Sequence, residues 1–252
     1  MNVSGVTMAK IVFLGVGGWI SDPLLGYTSF AIVNSKHKWI LVEAGEGVFK
    51  SMRICGLRLS EELAGVVISH RHGDHTLGIP TLLQIAKHMG LKKLRVVSIR
   101  DVLAAILQLV EASGSQNTLS ILDLVEVRPG ERIRLEDFEI EFTEAVHTLP
   151  STSIKIYSEG KCIIYSGDTA YNPKLIQFAK NCDMLIHEAS GYSEEAHRYG
   201  HSTYQDAIEI ATKSNVKKLV LIHFYQWPNP IKTPIQKELE ILVPHPCQEI
   251  EL

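Results

Sequence analysis

Apolar residues in the first third of the chain fall into short runs broken by turn residues. KIVFLGVG, SFAIVNS and KWILVEAGEG are β-branched or aromatic and end on Gly, Asn or Ser-Lys signals, a pattern that predicts strands. VFKSMRICGL reads as a short helix stopping at Gly56. LAGVVIS is a further strand, and its C-terminal end delivers SHRHGDH, Ser69 to His75. GIPTLLQIAKHMG predicts a helix with Pro80 in its first turn and Gly90 as its stop. LRVVSI then reads as a strand, DVLAAILQLVEAS as a helix capped by Asp101, and GSQNTLS as a loop.

The second half repeats the theme. ERIRLEDFEIEFTEAV alternates like a strand pair leading to His147, and TSIKIYSEGKCIIYSGDT reads as a hairpin turning at Glu159-Gly160. Its second strand delivers Asp168, and PKLIQFAKNC, TYQDAIEIATKSN and the strand KLVLIHF complete the series. Strands, helices and a polar residue at the strand ends occur in both halves. This predicts an α/β chain with two similar layers of sheet, each covered by helices, facing each other across one core. The reading is a single domain over 1–252, with halves of roughly 1–145 and 146–252.

Composition narrows the class. The 252 residues are 45% hydrophobic and 21% charged, which describes an ordinary globular chain with a substantial core. A net charge of -3 supplies no broad basic field of the kind that attracts nucleic acid, which weighs against an RNA partner except through a local basic patch; no readout of duplex DNA is expected. Cys55, Cys162, Cys182 and Cys247 show no paired spacing; they are read as reduced, buried thiols of a cytosolic chain. No signal peptide precedes the first apolar run, and no run approaches the ~20 residues needed to cross a bilayer. A cytoplasmic protein with no membrane partner is expected.

The chemistry stands at the predicted strand ends: His70, His72, Asp74, His75, His147, Asp168 and His223. Imidazole nitrogen and carboxylate oxygen are ligands that zinc favours, and a catalytic zinc site keeps a position open for water. In an extended segment the His70-x-His72 spacing lets two rings reach one ion, while Asp74-His75 points onward to a second. Asp168 can be shared between two ions ~3.5–4 Å apart, as in two-metal hydrolases. Two zinc ions per chain are expected, with manganese or iron as alternatives for such a donor set.

HRHGDH, with His147, Asp168 and His223 downstream, resembles the metallo-β-lactamase superfamily, and FLGVGG, EAGEG, SGDT and IHF have counterparts there in the same order. The resemblance implies a four-layer αββα sandwich with the site at one edge of the sheets. It assigns His70, His72 and His147 to one metal and Asp74, His75 and His223 to the other, with Asp168 shared. Asp168 argues against the antibiotic-hydrolysing branches, and the intact His72 favours zinc over the di-iron branch. LIHEASGYSEEAHRYGHST resembles the tRNA 3′-processing endonucleases, the RNase Z group. On that resemblance Glu188 and His201 carry over as a catalytic pair, with Asp74 orienting the attacking water; His187 reads as a packed strand-end residue.

The implied activity is phosphodiester cleavage by metal-activated water, on an RNA 3′ end or a small nucleotide. Relatives in this group are often homodimers. The pattern departs from the group at one place: between Gly78 and His147 there is no long Gly/Pro-rich basic arm to grip tRNA. The best basic cluster, Lys87, Lys92, Lys93 and Arg95, reads as a solvated helix end. A hydrolase of carboxylic esters, thioesters or lactones on the same fold is the alternative. Three segments invite secondary readings: GGWISDPLLGYTS as a wall of the pocket, Ser151 to Ser153 as phosphate contacts or a turn, and HFYQWPNP (224–230 with His223) as a base-stacking or merely packed loop around Trp227.

Overall fold

The computed structural model describes residues 8–20, 22–225 and 239–252. Strands β1 (Lys10–Gly15), β2 (Ser29–Val33), β3 (Trp39–Val42), β4 (Leu63–Val67), β5 (Leu94–Ser98), β6 (Leu122–Glu126) and β14 (Glu249–Glu251) form one seven-stranded sheet, ordered β14-β1-β2-β3-β4-β5-β6. The second has seven strands too: β7 (Arg132–Leu135), β8 (Phe138–Glu144), β9 (Thr152–Ser158), β10 (Lys161–Tyr165), β11 (Met184–Glu188), β12 (Lys218–Ile222) and β13 (Glu240–Leu242), in the order β13-β12-β11-β10-β9-β8-β7. The chain passes between sheets after Glu126, earlier than a boundary near 145, and β14 returns to pair antiparallel with β1.

The strand residues explain the layering. On β1 to β5, Ile11, Phe13, Phe30, Ile32, Ile40, Val42, Val67 and Val97 are buried in the core shared with the second sheet. The alternate residues Val12, Leu14, Ala31, Leu41, Val66 and Val96 are buried in a separate cluster. That second cluster is completed by α1 (Val48–Ile54), α3 (Ile79–His88) and α4 (Arg100–Ala112). Successive side chains point to opposite faces of a strand, so a strand buried on both faces reads as a continuous apolar run. On the far side α5 (Pro173–Phe178) and α6 (Tyr204–Ser214) cover the second sheet. The result is the expected αββα sandwich. Full burial of a Val, Leu, Ile or Phe side chain is worth ~1.5–3 kcal/mol, and this is what holds the strand ends in place.

Local sequence signals match the structure at some turns and caps and not at others. Thr203 caps α6 in a reciprocal capping box with Asp206, and the hairpin β9–β10 turns at Glu159-Gly160 as expected. Asp101 does not cap α4: Ile99 holds that position, while Asp101 sits in the first turn and pairs with Arg71 at 2.7 Å. Residues Gln116–Ser120 of the expected loop wind into a 3-10 turn. Strand β6 and the three-residue strands β13 and β14 carry too little apolar pattern of their own; they are fixed by their neighbours.

The cysteine reading is corrected. Cys55 is disulfide-bonded to Cys247 and Cys162 to Cys182, across sequence separations of 192 and 20 residues. No spacing rule reveals such pairs, because the fold alone brings α1 beside the C-terminal segment. A cytoplasmic location inferred from reduced thiols loses that support. Among the described residues no helix is long and apolar enough to cross a membrane.

The chain-entropy model gives the longer loop the larger effect, and a disulfide typically contributes ~2–4 kcal/mol. Cys55→Ser is therefore expected to lower the thermal midpoint by on the order of 10 °C, and Cys162→Ser by less. Thiol titration of unfolded, unreduced protein should find no free thiol; four reactive thiols there would refute the pairing.

Candidate metal centre

The sequence-predicted residues come together at the seam of the two sheets. His70 follows β4, and His72 to His75 occupy the turn α2 (Gly73–Thr76) and its cap. His147 follows β8, Asp168 follows β10, Glu188 ends β11 and His223 follows β12. Five strand ends thus aim polar groups at one place, and the burial is nearly total: His70, His75, Asp74, Asp168, Glu188 and His223 are all buried.

Two donor groups are resolved, His70–His72–His147–Asp168 and Asp74–His75–Asp168–His223, each with its ligand atoms within 4.8 Å of one another. In the first, His72 Nδ1 lies 3.0 Å from His70 Nε2 and 3.1 Å from His147 Nε2. The three rings stand at 75° to 85° to one another. Zinc–nitrogen bonds of ~2.0–2.1 Å place neighbouring ligand nitrogens about 3–3.4 Å apart, so three near-perpendicular rings at this spacing suit one ion.

In the second group Asp74 Oδ2 is 3.3 Å from both His75 Nε2 and His223 Nε2. Asp168 Oδ2 lies 3.3 Å from His223 Nε2, 3.5 Å from His75 Nε2 and 3.6 Å from His70 Nε2. One oxygen therefore faces both groups. A shared position for Asp168 is what these distances permit.

The outward-facing nitrogens of His70, His147 and His223 are hydrogen-bonded elsewhere and that of His75 faces a carboxylate, which leaves their inward nitrogens available. His147 Nδ1 donates to the Gly200 carbonyl at 2.8 Å. His70 Nδ1 meets Ser69 Oγ at 2.9 Å, His223 Nδ1 meets Ser190 Oγ at 2.6 Å, and Glu43 Oε2 lies 3.4 Å from His75 Nδ1. Partners of this kind fix ring orientation and tautomer in metal sites. Gly200 has φ +75°, and a Cβ there would lie 2.7 Å from His147 Nδ1, so only glycine allows this contact.

Electrostatics point the same way. Burial, with His75 next to it, drives the His70 imidazole well below its usual pKa. Burial acts against protonating His75 too, but the carboxylates of Asp74, Asp168 and Glu43 outweigh it and raise that ring well above the ordinary value. The carboxyls of Asp74 and Asp168 are themselves held low by the surrounding histidines despite their burial. The cluster is thus an excess of buried negative charge. His75 Nε2 and Asp168 Oδ1 make no hydrogen bond, although buried polar groups rarely go without one. Cations in the two groups would satisfy both, so the residues present fit a pair of divalent ions.

Beside the cluster His201 Nδ1 is 3.0 Å from Glu188 Oε1. That carboxylate is fixed by the Thr169 amide at 2.7 Å and by Ser190 Oγ at 2.9 Å. Burial disfavours the His201 cation, but the Glu188 charge more than offsets it, and the pKa is pushed up to about 9. The same two residues form a third donor group with His223. His187 is buried with Nδ1 on its neighbour's carbonyl, a packed strand-end residue as expected.

A cleft of about 590 Å³ opens onto His72, Asp74, His147, Asp168 and His201. Trp19 and Tyr27 line it, so part of the GGWISDPLLGYTS segment does form a wall. A larger cleft of about 730 Å³ adjoins it through His147 and Thr148. The hydroxyls of Ser151 and Ser153 are committed to the carbonyls of Asp168 and Ser166, so they are structural. Lys93 and Arg95 pair with Asp123, and Lys87 bonds the Asn117 carbonyl. Gln226 to Pro230, including Trp227, lie outside the described residues.

A family model for the beta-lactamase superfamily domain matches residues 38–224. The chain belongs to the beta-lactamase superfamily. Within this superfamily it is similar to the ribonuclease Z of Picrophilus torridus, at 27% identity over 274 residues covering 85% of each chain. Among solved structures the metallo-beta-lactamase fold protein YhfI from Bacillus subtilis superposes with a TM-score of 0.81 at 20% identity, over 96% of this chain and 99% of that one. The short form of human tRNase Z gives 0.79 at 22% identity, over 96% and 98%. These likenesses agree with the αββα architecture.

Glu43, Ser69, Ser190 and Gly200 were not singled out from the sequence, although each orients a ring of the cluster. The one available signal was EAGEG, where an acid follows an apolar strand; Glu43 is fully buried there with φ 63°. Ser190→Ala removes the group that holds both His223 and Glu188. Loss of such a partner typically costs ~10–100-fold in metal affinity. That loss should appear in competition with a chelator, while an unchanged affinity would deny Ser190 this role.

Proposed function

We propose that the chain is a dinuclear zinc phosphodiesterase of the ribonuclease Z type. The observation that carries the reading is the Glu188–His201 contact at 3.0 Å, set beside the donor groups and facing their cleft. Hydrolysis of an ester or thioester with a good leaving group needs no such acid; expulsion of an alkoxide does. The ribonuclease Z name of the P. torridus relative points to the same chemistry.

In this reading His70, His72 and His147 hold one ion, Asp74, His75 and His223 the other, and Asp168 both. Bound ions supply positive charge against the phosphoryl oxygens and lower the pKa of a water ligand. Asp74 also orients the attacking water through its carboxylate. His201, whose protonated form the Glu188 carboxylate favours, donates its proton to the departing oxygen as the P–O bond breaks. Glu188 is a positioning residue: it stabilises the imidazolium and fixes the ring of His201, and a proton donor positioned in this way contributes ~10²–10⁴-fold.

The test uses metal-analysed protein on bis(p-nitrophenyl) phosphate, an alkyl phosphodiester, a thioester and a lactone. Phosphodiester turnover is expected with about two ions per chain. His201→Ala should slow the alkyl ester by ~10²–10⁴-fold and p-nitrophenolate release far less. Equal losses on both would remove the acid role, and faster turnover of the thioester or lactone would replace the phosphodiesterase reading.

A further inference from the structure

Large aromatic side chains on a protein surface are costly to leave exposed, and a cluster of them round a cleft calls for a ligand. Trp19, Tyr27, Tyr199 and Tyr225 line the cleft above the metal-type residues. Trp19 is 57% exposed and Tyr199 64%. The indole N–H of Trp19 donates to Tyr225 Oη at 2.8 Å, which fixes the ring's edge and leaves its π-faces unengaged by that bond.

The backbone under Trp19 is equally constrained. Gly17 forms bridges to both Tyr27 and Phe224. The Gly18 amide donates to the Phe224 carbonyl at 2.9 Å, and the His223 amide donates to the Val16 carbonyl at 2.7 Å. Trp19 and His223 therefore flank one hydrogen-bonded junction, so the backbone leading to the indole is tied to the strand end that carries a donor. Such a wall is preorganised, and binding to it loses little conformational entropy.

Among the residues lining this cleft the exposed carboxylate is Glu46. A carboxylate there opposes a second phosphate close to the first. A cleft of about 590 Å³ is of the size that holds a drug-sized ligand. We propose that Trp19, with Tyr27, Tyr199 and Tyr225, forms a stacking wall for one planar base, so that the substrate class is a short nucleotide phosphodiester with a single scissile phosphate. The inference rests on the phosphodiesterase reading and adds to it the part of the substrate that is recognised.

The experiment compares ApA, a dinucleotide with one phosphate, with the same molecule lacking one base and with an oligoadenylate. Wild-type protein is expected to prefer ApA over the abasic analogue. In Trp19→Ala that kcat/KM ratio should fall about tenfold, the scale of one base–aromatic stack, chiefly through KM, with Trp19→Phe recovering most of it. Glu46→Gln should raise kcat/KM for the oligoadenylate relative to ApA. Quenching of intrinsic fluorescence by a non-hydrolysable ApA analogue, present in wild type and diminished in Trp19→Phe, reads binding without turnover. A ratio unchanged in Trp19→Ala, with normal cleavage of ApA, overturns the stacking wall alone; failure of wild-type protein to cleave any of the three overturns the phosphodiesterase reading beneath it.

Discussion

Convergence of buried lone pairs at the seam of two sheets is the constraint on which this architecture depends. Glu43, Asp74, Asp168 and Glu188 are buried carboxylates, and each buried charge costs several kcal/mol unless it is paired. Around them, imidazole nitrogens approach to 3.0 and 3.1 Å, a distance at which two lone pairs repel unless a proton or a cation lies between them. Protons alone are a poor remedy, since burial itself resists protonating His70, His72 and His147. A cluster with this composition is stable only with cations, or within a frame rigid enough to bear the strain.

The sandwich is that frame. The first sheet contributes Glu43 and the Ser69–Thr76 segment; the second contributes His147, Asp168, Glu188 and His223. The halves are joined at the seam, where the Thr152 amide donates to the Ser69 carbonyl at 3.1 Å, and within the first sheet Ser98 Oγ donates to the Ile68 carbonyl at 2.6 Å. A backbone bond from β9 and a side-chain bond from the end of β5 thus fix the start of the His70 loop. Neither sheet alone presents a full set of donors, so packing of the shared core and assembly of the site are one event. Metal binding to such a site is linked to folding.

What the sequence disclosed follows from the same physics. Strands buried on both faces gave themselves away as apolar runs, and the residue just past each run marked a strand end. His70, Asp168 and His223 were legible for that reason, and His147 because it follows the alternating strand β8. The orienting partners were hidden because Ser69, Ser190 and Gly200 are ordinary turn residues until a ring is placed against them. Asp101 had the look of a helix cap but was drawn to Arg71 instead. The disulfides were least legible of all: pairing Cys55 with Cys247 depends on β14 returning to β1, and EIE carries no pattern strong enough to announce that.

The glycines after β1 join these threads. Gly17 bridges to both Tyr27 and Phe224, and a Cβ on Gly18 would sit 3.0 Å from the His223 imidazole. Close approach there lets the Val16 carbonyl accept the amides of His223 and Phe224. His223 itself takes φ 66°, a left-handed conformation that a non-glycine residue adopts at a cost of ~1–3 kcal/mol. That cost is offset by the same bonds that set the direction of Trp19. A donor at the floor of the cleft and an aromatic ring at its mouth are thus carried by one hydrogen-bonded stretch of backbone.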